Sequence, residues 1–272
     1  MRKYVLSLLF FLSLSCSISA QQHKKMLYKQ IDTTKLYLDL YYPDNVQINS
    51  PKPAIIFFFG GGWNSGTTKQ FEPQAKYFSE RGMICILADY RVKKRQQTTP
   101  FESLKDAKSA IRYLRIHAVE LNIDTIRIVA SGGSAGGHLA AATALITDFN
   151  ESTDDLSVSC VPNALILFNP VIDNGPGGYG FERIGEKYKD FSPIHNIAKG
   201  APPTLIFLGT KDHLIPVETA KYYQTVMQKV GSRCDLFLYE GAGHGFFNQA
   251  EYLSKTMLEA GRFLESIDYL KK

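Results

Sequence analysis

After its first twenty positions the chain has no apolar run approaching the roughly 20 residues of a membrane-spanning helix, so a span is not expected. A dense basic stretch is missing too. The longest is "KKR" at 93–95, read as a solvated loop. Arg2 and Lys3 supply two of the net charge of +5, which leaves +3 for the remainder and gives no argument for nucleic acid as a partner. No internal repeat and no low-complexity linker interrupts the sequence, so one core over 21–272 fits better than two domains. Cysteine is scarce, with four in 272 residues. Cys16 lies among the first twenty, leaving Cys85, Cys160 and Cys234; an odd number means that at least one stays free. Cys85 in "MICILADY" and Cys234 opening "CDLFLY" read as small buried hydrophobes on strands. None of the three stands beside a histidine as a thiolate nucleophile would.

What is present begins with a leader pattern. "MRKYVLSLLFFLSLSCSISA" has a basic start, an apolar stretch over 5–14 and small residues up to Ala20. This is expected to be a secretory signal over 1–20, with Gln21 as the new N-terminus and a secreted or periplasmic product. Cys16 in "SLSC" offers lipid anchoring as the weaker alternative, because Ser13 stands where such a motif has leucine.

The rest is 44% hydrophobic and 21% charged across the whole chain, the balance of an ordered globular protein. "KLYLDLYY" from Lys35 alternates as a half-exposed strand does. "PAIIFFFGG", "MICILADYR", "IRIVA", "ALILFNP", "TLIFLGT" and "DLFLYE" are short apolar runs of the kind buried on both faces of a parallel sheet. Between them, the stretch from Phe101 places Leu104, Ala107, Ile111 and Leu114 at helical spacing. Further helices are expected after Ser134, around Val217, and at the end to about Leu270. Strands alternating with helices predict an α/β fold with a mostly parallel sheet covered on both faces. Residues 171–200 are the least regular, and a connection of that length reads as a functional lid.

One stretch asks for a chemical explanation. In "IRIVASGGSAGGHLAAATAL" a strand runs into Gly132-Gly133-Ser134-Ala135-Gly136, and a helix follows. G-x-S-x-G between strand and helix is the setting in which a serine becomes a nucleophile on a sharp turn. The hydroxyl is a weak nucleophile and needs a base, and the base needs an orienting acid. Of six histidines, His23 and His117 read as surface residues and His195 and His213 as loop residues. His138, one turn after Ser134, reads as packing. His244 in "GAGHGFF" directly follows the strand "DLFLYE" and is the expected base. Asp212 in "FLGTKDHLIP" is the expected acid, with Asp173 after "FNPV" as its rival. Asp212 is preferred because its strand immediately precedes the one carrying His244. An oxyanion needs oriented N–H donors. Gly61 and Gly62 in "FFFGGGW", with Ala135, are the expected ones. Trp63, Tyr179 and Phe181 are candidates to line a substrate cleft.

With "GGGW", "DYR", "GGSAGGHLAA", "GTKDHLIPV" and "GHGFF" in this order, the chain from about residue 35 onward resembles an α/β-hydrolase. The branch is that of secreted esterases and lipases similar to hormone-sensitive lipase and to bacterial feruloyl and acetyl esterases. The resemblance implies an eight-stranded, mostly parallel sheet and a Ser-Asp-His triad at Ser134, Asp212 and His244. It also implies hydrolysis of carboxylic esters with neither cofactor nor metal. The glycine turn of such enzymes usually begins with histidine, and here Phe59 takes that place. The large lipase cap is expected to be absent. An acetylated or feruloylated polysaccharide is the expected partner on grounds of analogy and compartment. Two other readings compete: a prolyl-oligopeptidase-type serine peptidase, and a non-catalytic module that retains the fold.

Overall fold

The computed structural model describes residues 23–44 and 50–271. The expected leader, its cleavage point and Cys16 lie outside the described residues.

The described residues open with β1 (His23–Ile31) and β2 (Thr34–Tyr41), paired antiparallel across a tight turn at Asp32. Then come β3 (Lys52–Phe58), α1 (Glu72–Glu80), β4 (Ile84–Ala88) and the single turn α2 (Lys93–Gln96). α3 (Pro100–Ile116) starts on a capping box, in which the Thr99 hydroxyl and the Glu102 carboxylate satisfy backbone donors reciprocally and Pro100 supplies a preset φ. A short α4 (Ala118–Leu121) leads into β5 (Ile123–Gly133), α5 (Ala135–Leu145) and β6 (Ala164–Phe168). The irregular segment 171–200 holds two one-turn helices, α6 (Phe181–Ile184) and α7 (Tyr188–Phe191). β7 (Thr204–Gly209), α8 (Val217–Lys229), β8 (Cys234–Tyr239) and α9 (Ala250–Ser266) complete the order.

The eight strands form one sheet in the order β1-β2-β4-β3-β5-β6-β7-β8. β2 runs antiparallel to both neighbours, and the six strands from β4 to β8 are mutually parallel. Alternation along the strands divides the core between the two faces. Ala54, Ile56, Phe58, Leu165 and Leu167 pack with Leu104, Ile111 and Leu114 of α3, Leu139 of α5 and Met227 of α8. Ile55, Phe57, Ile166 and Phe168 pack with Phe78 of α1 and Phe263 and Leu264 of α9. Cys85, Cys160 and Cys234 are free thiols, and all three are buried.

The structure departs from the sequence reading at several points. β1 and α1 are additional. "KKR" is a turn of helix rather than a loop, though its three side chains are exposed. The last helix stops at Ser266. Among the described residues no helix is long and apolar enough to cross a membrane.

Candidate active site

Parallel strands deliver their C-terminal ends to one edge of the sheet, which is where α/β folds place ligands. Ser134 follows β5, Asp212 follows β7 and His244 follows β8. Ser134 has φ 54 and ψ −119, a conformation L-residues avoid. The corner is held by close backbone approach. A Cβ at Gly136 would collide with the carbonyls of Phe58 and Phe59 at the end of β3, so only glycine fits there. The Ser134 N–H donates to the Phe168 carbonyl at 2.9 Å, tying the turn to β6.

The hydroxyl so presented meets the expected base. His244 Nε2 lies 2.8 Å from Ser134 Oγ, and His244 Nδ1 lies 2.7 Å from Asp212 Oδ2. The Asp212 side chain is fully shielded from solvent, and its second oxygen accepts N–H bonds from Leu214 at 2.9 Å and Ile215 at 3.0 Å. The carboxylate is therefore fixed before it meets the imidazole. The rival Asp173 instead accepts the Gly175 N–H and has no contact with His244.

The glycine turn after β3 borders the same cavity, a space of about 220 Å³ that also receives Gln70, Asn169, Tyr179, Leu214 and Phe247. Gly60 N–H is taken by Gln70 Oε1 at 2.6 Å. The N–H groups of Gly61 and Gly62 find no acceptor among the described residues. Ala135 is the first residue of α5, where an N–H has no partner within the helix. Phe59 is buried and stacks on Tyr90 with 4.0 Å between ring centroids, while the Tyr90 hydroxyl donates to the Phe59 carbonyl at 2.6 Å. Burial, aided by the Asp89 carboxylate, pushes the Tyr90 phenol well above its usual range and keeps it a donor.

Two cleft expectations are corrected. Trp63 is 1% exposed and packs against His138, Tyr179 and Phe191. Its indole is drawn beneath the irregular segment, where apolar area is removed from water, rather than into the cavity. Phe181 rests against Tyr188. Of the three aromatics only Tyr179 borders the cavity. His138 is packing, as expected: it is fully buried, and its Nε2 donates to the Phe191 carbonyl at 2.9 Å.

Asn169 was not anticipated. It is fully buried at the end of β6 with φ 35, its Oδ1 accepts the Gly245 N–H at 3.2 Å, and its Nδ2 lies 3.4 Å from His244 Nε2. A polar residue closing a wholly apolar strand, as in "ALILFNP", was the signal available. Gln70 carried none, since its partner is a backbone group ten residues away. A wider groove of about 1170 Å³ lies at the opposite end of the sheet, near Tyr42, Val119 and Asn122. Among the described residues, no serine or cysteine lines it to meet the one histidine there, His23.

A family model described as BD-FAE matches residues 38–174, about half of the chain, and one for the dienelactone hydrolase family matches 177–269. A probable isoprenylcysteine alpha-carbonyl methylesterase of Arabidopsis thaliana is 30% identical over 78% of this chain and 49% of its own length. An acetylxylan esterase of Xylanibacter ruminicola is 25% identical over 94% of this chain and 53% of its own. The chain thus spans about half the length of these two relatives. Among solved structures, esterase 2 of Thermogutta terrifontis phosphorylated by paraoxon is 44% identical, with 92% of this chain and 96% of that one covered and a TM-score of 0.88. The same esterase has been solved with propionate and with butyrate bound, each 43% identical with a TM-score of 0.86.

Proposed function

The chain belongs to the α/β-hydrolase esterases matched by the BD-FAE model, and from that membership we propose that it is a serine carboxylic-ester hydrolase working through Ser134, His244 and Asp212. The observation that carries the reading is the continuous hydrogen-bonded chain from Ser134 Oγ through His244 to Asp212, at 2.8 and 2.7 Å. His244 takes the Ser134 proton as Oγ attacks the ester carbonyl, and Asp212 holds the ring in the tautomer that leaves Nε2 free to accept. Negative charge on the tetrahedral oxygen is received by the N–H groups of Gly61, Gly62 and Ala135; one such donor contributes roughly 3 kcal/mol to lowering the barrier. His244 then returns the proton to the departing alcohol. Water attacks the acyl-enzyme by the same route and frees the acid.

The acyl group is short, acetyl rather than feruloyl. The cavity beside Ser134, about 220 Å³ and open to solvent, suits a small acyl group. The propionate and butyrate complexes of the Thermogutta esterase support the same size class. A leader over 1–20 would bring the enzyme to the periplasm or the medium, where an acetylated polysaccharide is a fitting substrate. The acetylxylan esterase among its relatives supports that choice.

The test is a panel of p-nitrophenyl esters of rising acyl length, run beside acetylated xylan, methyl ferulate and a proline-linked peptide, with a fluorophosphonate probe as a label. Hydrolysis should peak at acetate to butyrate, and Ser134→Ala should abolish both label and turnover. Turnover of the peptide alone would establish the peptidase reading. Absence of label on the wild-type protein would establish the non-catalytic one.

A further inference from the structure

We propose that Arg183 is a positioning residue for the oxyanion hole: reaching from α6 in the irregular segment, its guanidinium holds the Gly62 carbonyl and so fixes the donors of the glycine turn beside Ser134. The inference rests on the reading above, in which Gly61 and Gly62 receive the developing charge.

The turn needs an external restraint. Gly61, Gly62 and Trp63 have φ of 126, 63 and 55, three successive residues on the positive side. Glycine tolerates this because it lacks the steric barrier that would lock a single conformation, so the peptide after Gly62 has little local reason to stay put. The Lys93 N–H holds the Trp63 carbonyl at 3.0 Å, and three anchors hold Gly60 to Gly62 themselves. Gln70 accepts from the Gly60 N–H, and the Gly61 carbonyl accepts from the Asn64 and Ser65 N–H groups at 3.0 and 3.2 Å. Both come from within ten residues. The third is Arg183 Nη1 donating to the Gly62 carbonyl from 121 residues away, the one anchor that carries charge. A charge-assisted bond is about twice as strong as a neutral one.

The guanidinium is itself held in place. It lies over the rings of Trp63 and Tyr179, 5.4 Å from each centroid. Its remaining ionic partner, Glu182, is largely exposed and contributes little. Asn174 Nδ2 fixes the Tyr179 carbonyl at 2.8 Å, and the Tyr179 hydroxyl fills the space where a side chain at residue 62 would lie. The segment therefore does more than cover Trp63. Through Arg183 it supplies a prop to a glycine turn that begins with phenylalanine.

The experiment compares full-length wild type, Arg183→Met and Arg183→Lys in hydrolysis of p-nitrophenyl acetate and in inhibition by an aryl trifluoromethyl ketone. That ketone forms a tetrahedral adduct with the serine and needs the same donors. Displacing a donor by about 1 Å costs on the order of 100-fold. Arg183→Met should lower kcat by about 100-fold with KM within about threefold, and weaken the ketone by a similar factor. Arg183→Lys, which keeps a charged donor, should recover at least about tenfold of the loss. Should the methionine variant fail to fold, the lysine variant and Arg183→Gln are read on the same two axes. The proposal is overturned if kcat changes by less than about threefold, if the loss sits in KM, or if ketone affinity is unmoved. An inactive, unlabelled wild type would instead overturn the esterase reading; an active wild type indifferent to Arg183 leaves that reading standing and removes only this one.

Discussion

His138 shows how one side chain near the candidate site serves packing and stability. Its ring lies 5.0 Å from Trp63 and 4.4 Å from Phe191 between centroids, joining α5 to the irregular segment. Burial pushes its pKa down to about 4, against only partial compensation from the bond to the Phe191 carbonyl. The native state therefore keeps the ring neutral where an unfolded chain would protonate it at about 6.5. The sign follows from linkage. Above pH 6.5 neither state binds the proton and stability is full. Between 6.5 and about 4 the unfolded state binds more protons, so stability falls as pH falls, by up to about 3 kcal/mol from this residue, and then levels off. Urea unfolding from pH 4 to 8 should show that decline in the wild type and a flatter profile in His138→Gln. Equal slopes in the two proteins would remove His138 from the account.

The strand-turn-helix element around Ser134 imposes a different kind of constraint, one of space. Adding a methyl group at Gly136 drives it into the carbonyls of Phe58 and Phe59 where β3 ends, and backbone cannot yield as a flexible side chain would. Gly136→Ala should cost about 1–3 kcal/mol and, by displacing the glycine turn that follows β3, lower kcat on p-nitrophenyl acetate by on the order of 100-fold. Gly82→Ala is the control: φ there is 98 but a Cβ meets nothing within 4 Å, so only backbone strain of about 1 kcal/mol is expected, with kcat unchanged. Full activity in Gly136→Ala would sink the argument. This element was legible in the sequence because the constraint is local: motif, strand and helix lie within twenty residues. β3, β4, β6 and β7 were legible for a similar reason, since burial on both faces leaves unbroken apolar runs. β1 was not. A register shift between Leu27 and Lys29 puts the neighbours Tyr28 and Lys29 both inside, which breaks the alternation that would announce a strand. The candidate site divides along the same line. Ser134, Asp212 and His244 declare themselves by strand ends in chain order. Asn169 and Arg183 act through partners 76 and 121 residues away, and no local pattern encodes such contacts.

At the scale of the whole molecule, a buried charge network joins the antiparallel hairpin to the parallel part of the sheet. Asp106 of α3 is fully buried; Lys29 of β1 and Arg91 after β4 each lie 2.8 Å from its Oδ1, and the Arg91 N–H and Nε reach Oδ2 at 2.9 and 2.8 Å. Glu151, beyond α5, closes the ring at 3.0 Å from Lys29 and 3.1 Å from Arg91. Two cations and two carboxylates balance, so the group tolerates burial only as a set. Removing Asp106 strands two cations against the partly exposed Glu151, and the loss of a buried partner costs about 3–5 kcal/mol. Asp106→Ala should therefore lower the urea midpoint far more than Glu151→Ala, whose carboxylate retains 17% exposure. Added salt should leave that ranking intact, because buried pairs are weakly screened. The network contacts neither Ser134 nor the glycine turn, so kcat per folded molecule should match the wild type in both variants. If Asp106→Ala unfolds at the wild-type midpoint, the hairpin is held by its apolar face alone and the charges are incidental to it.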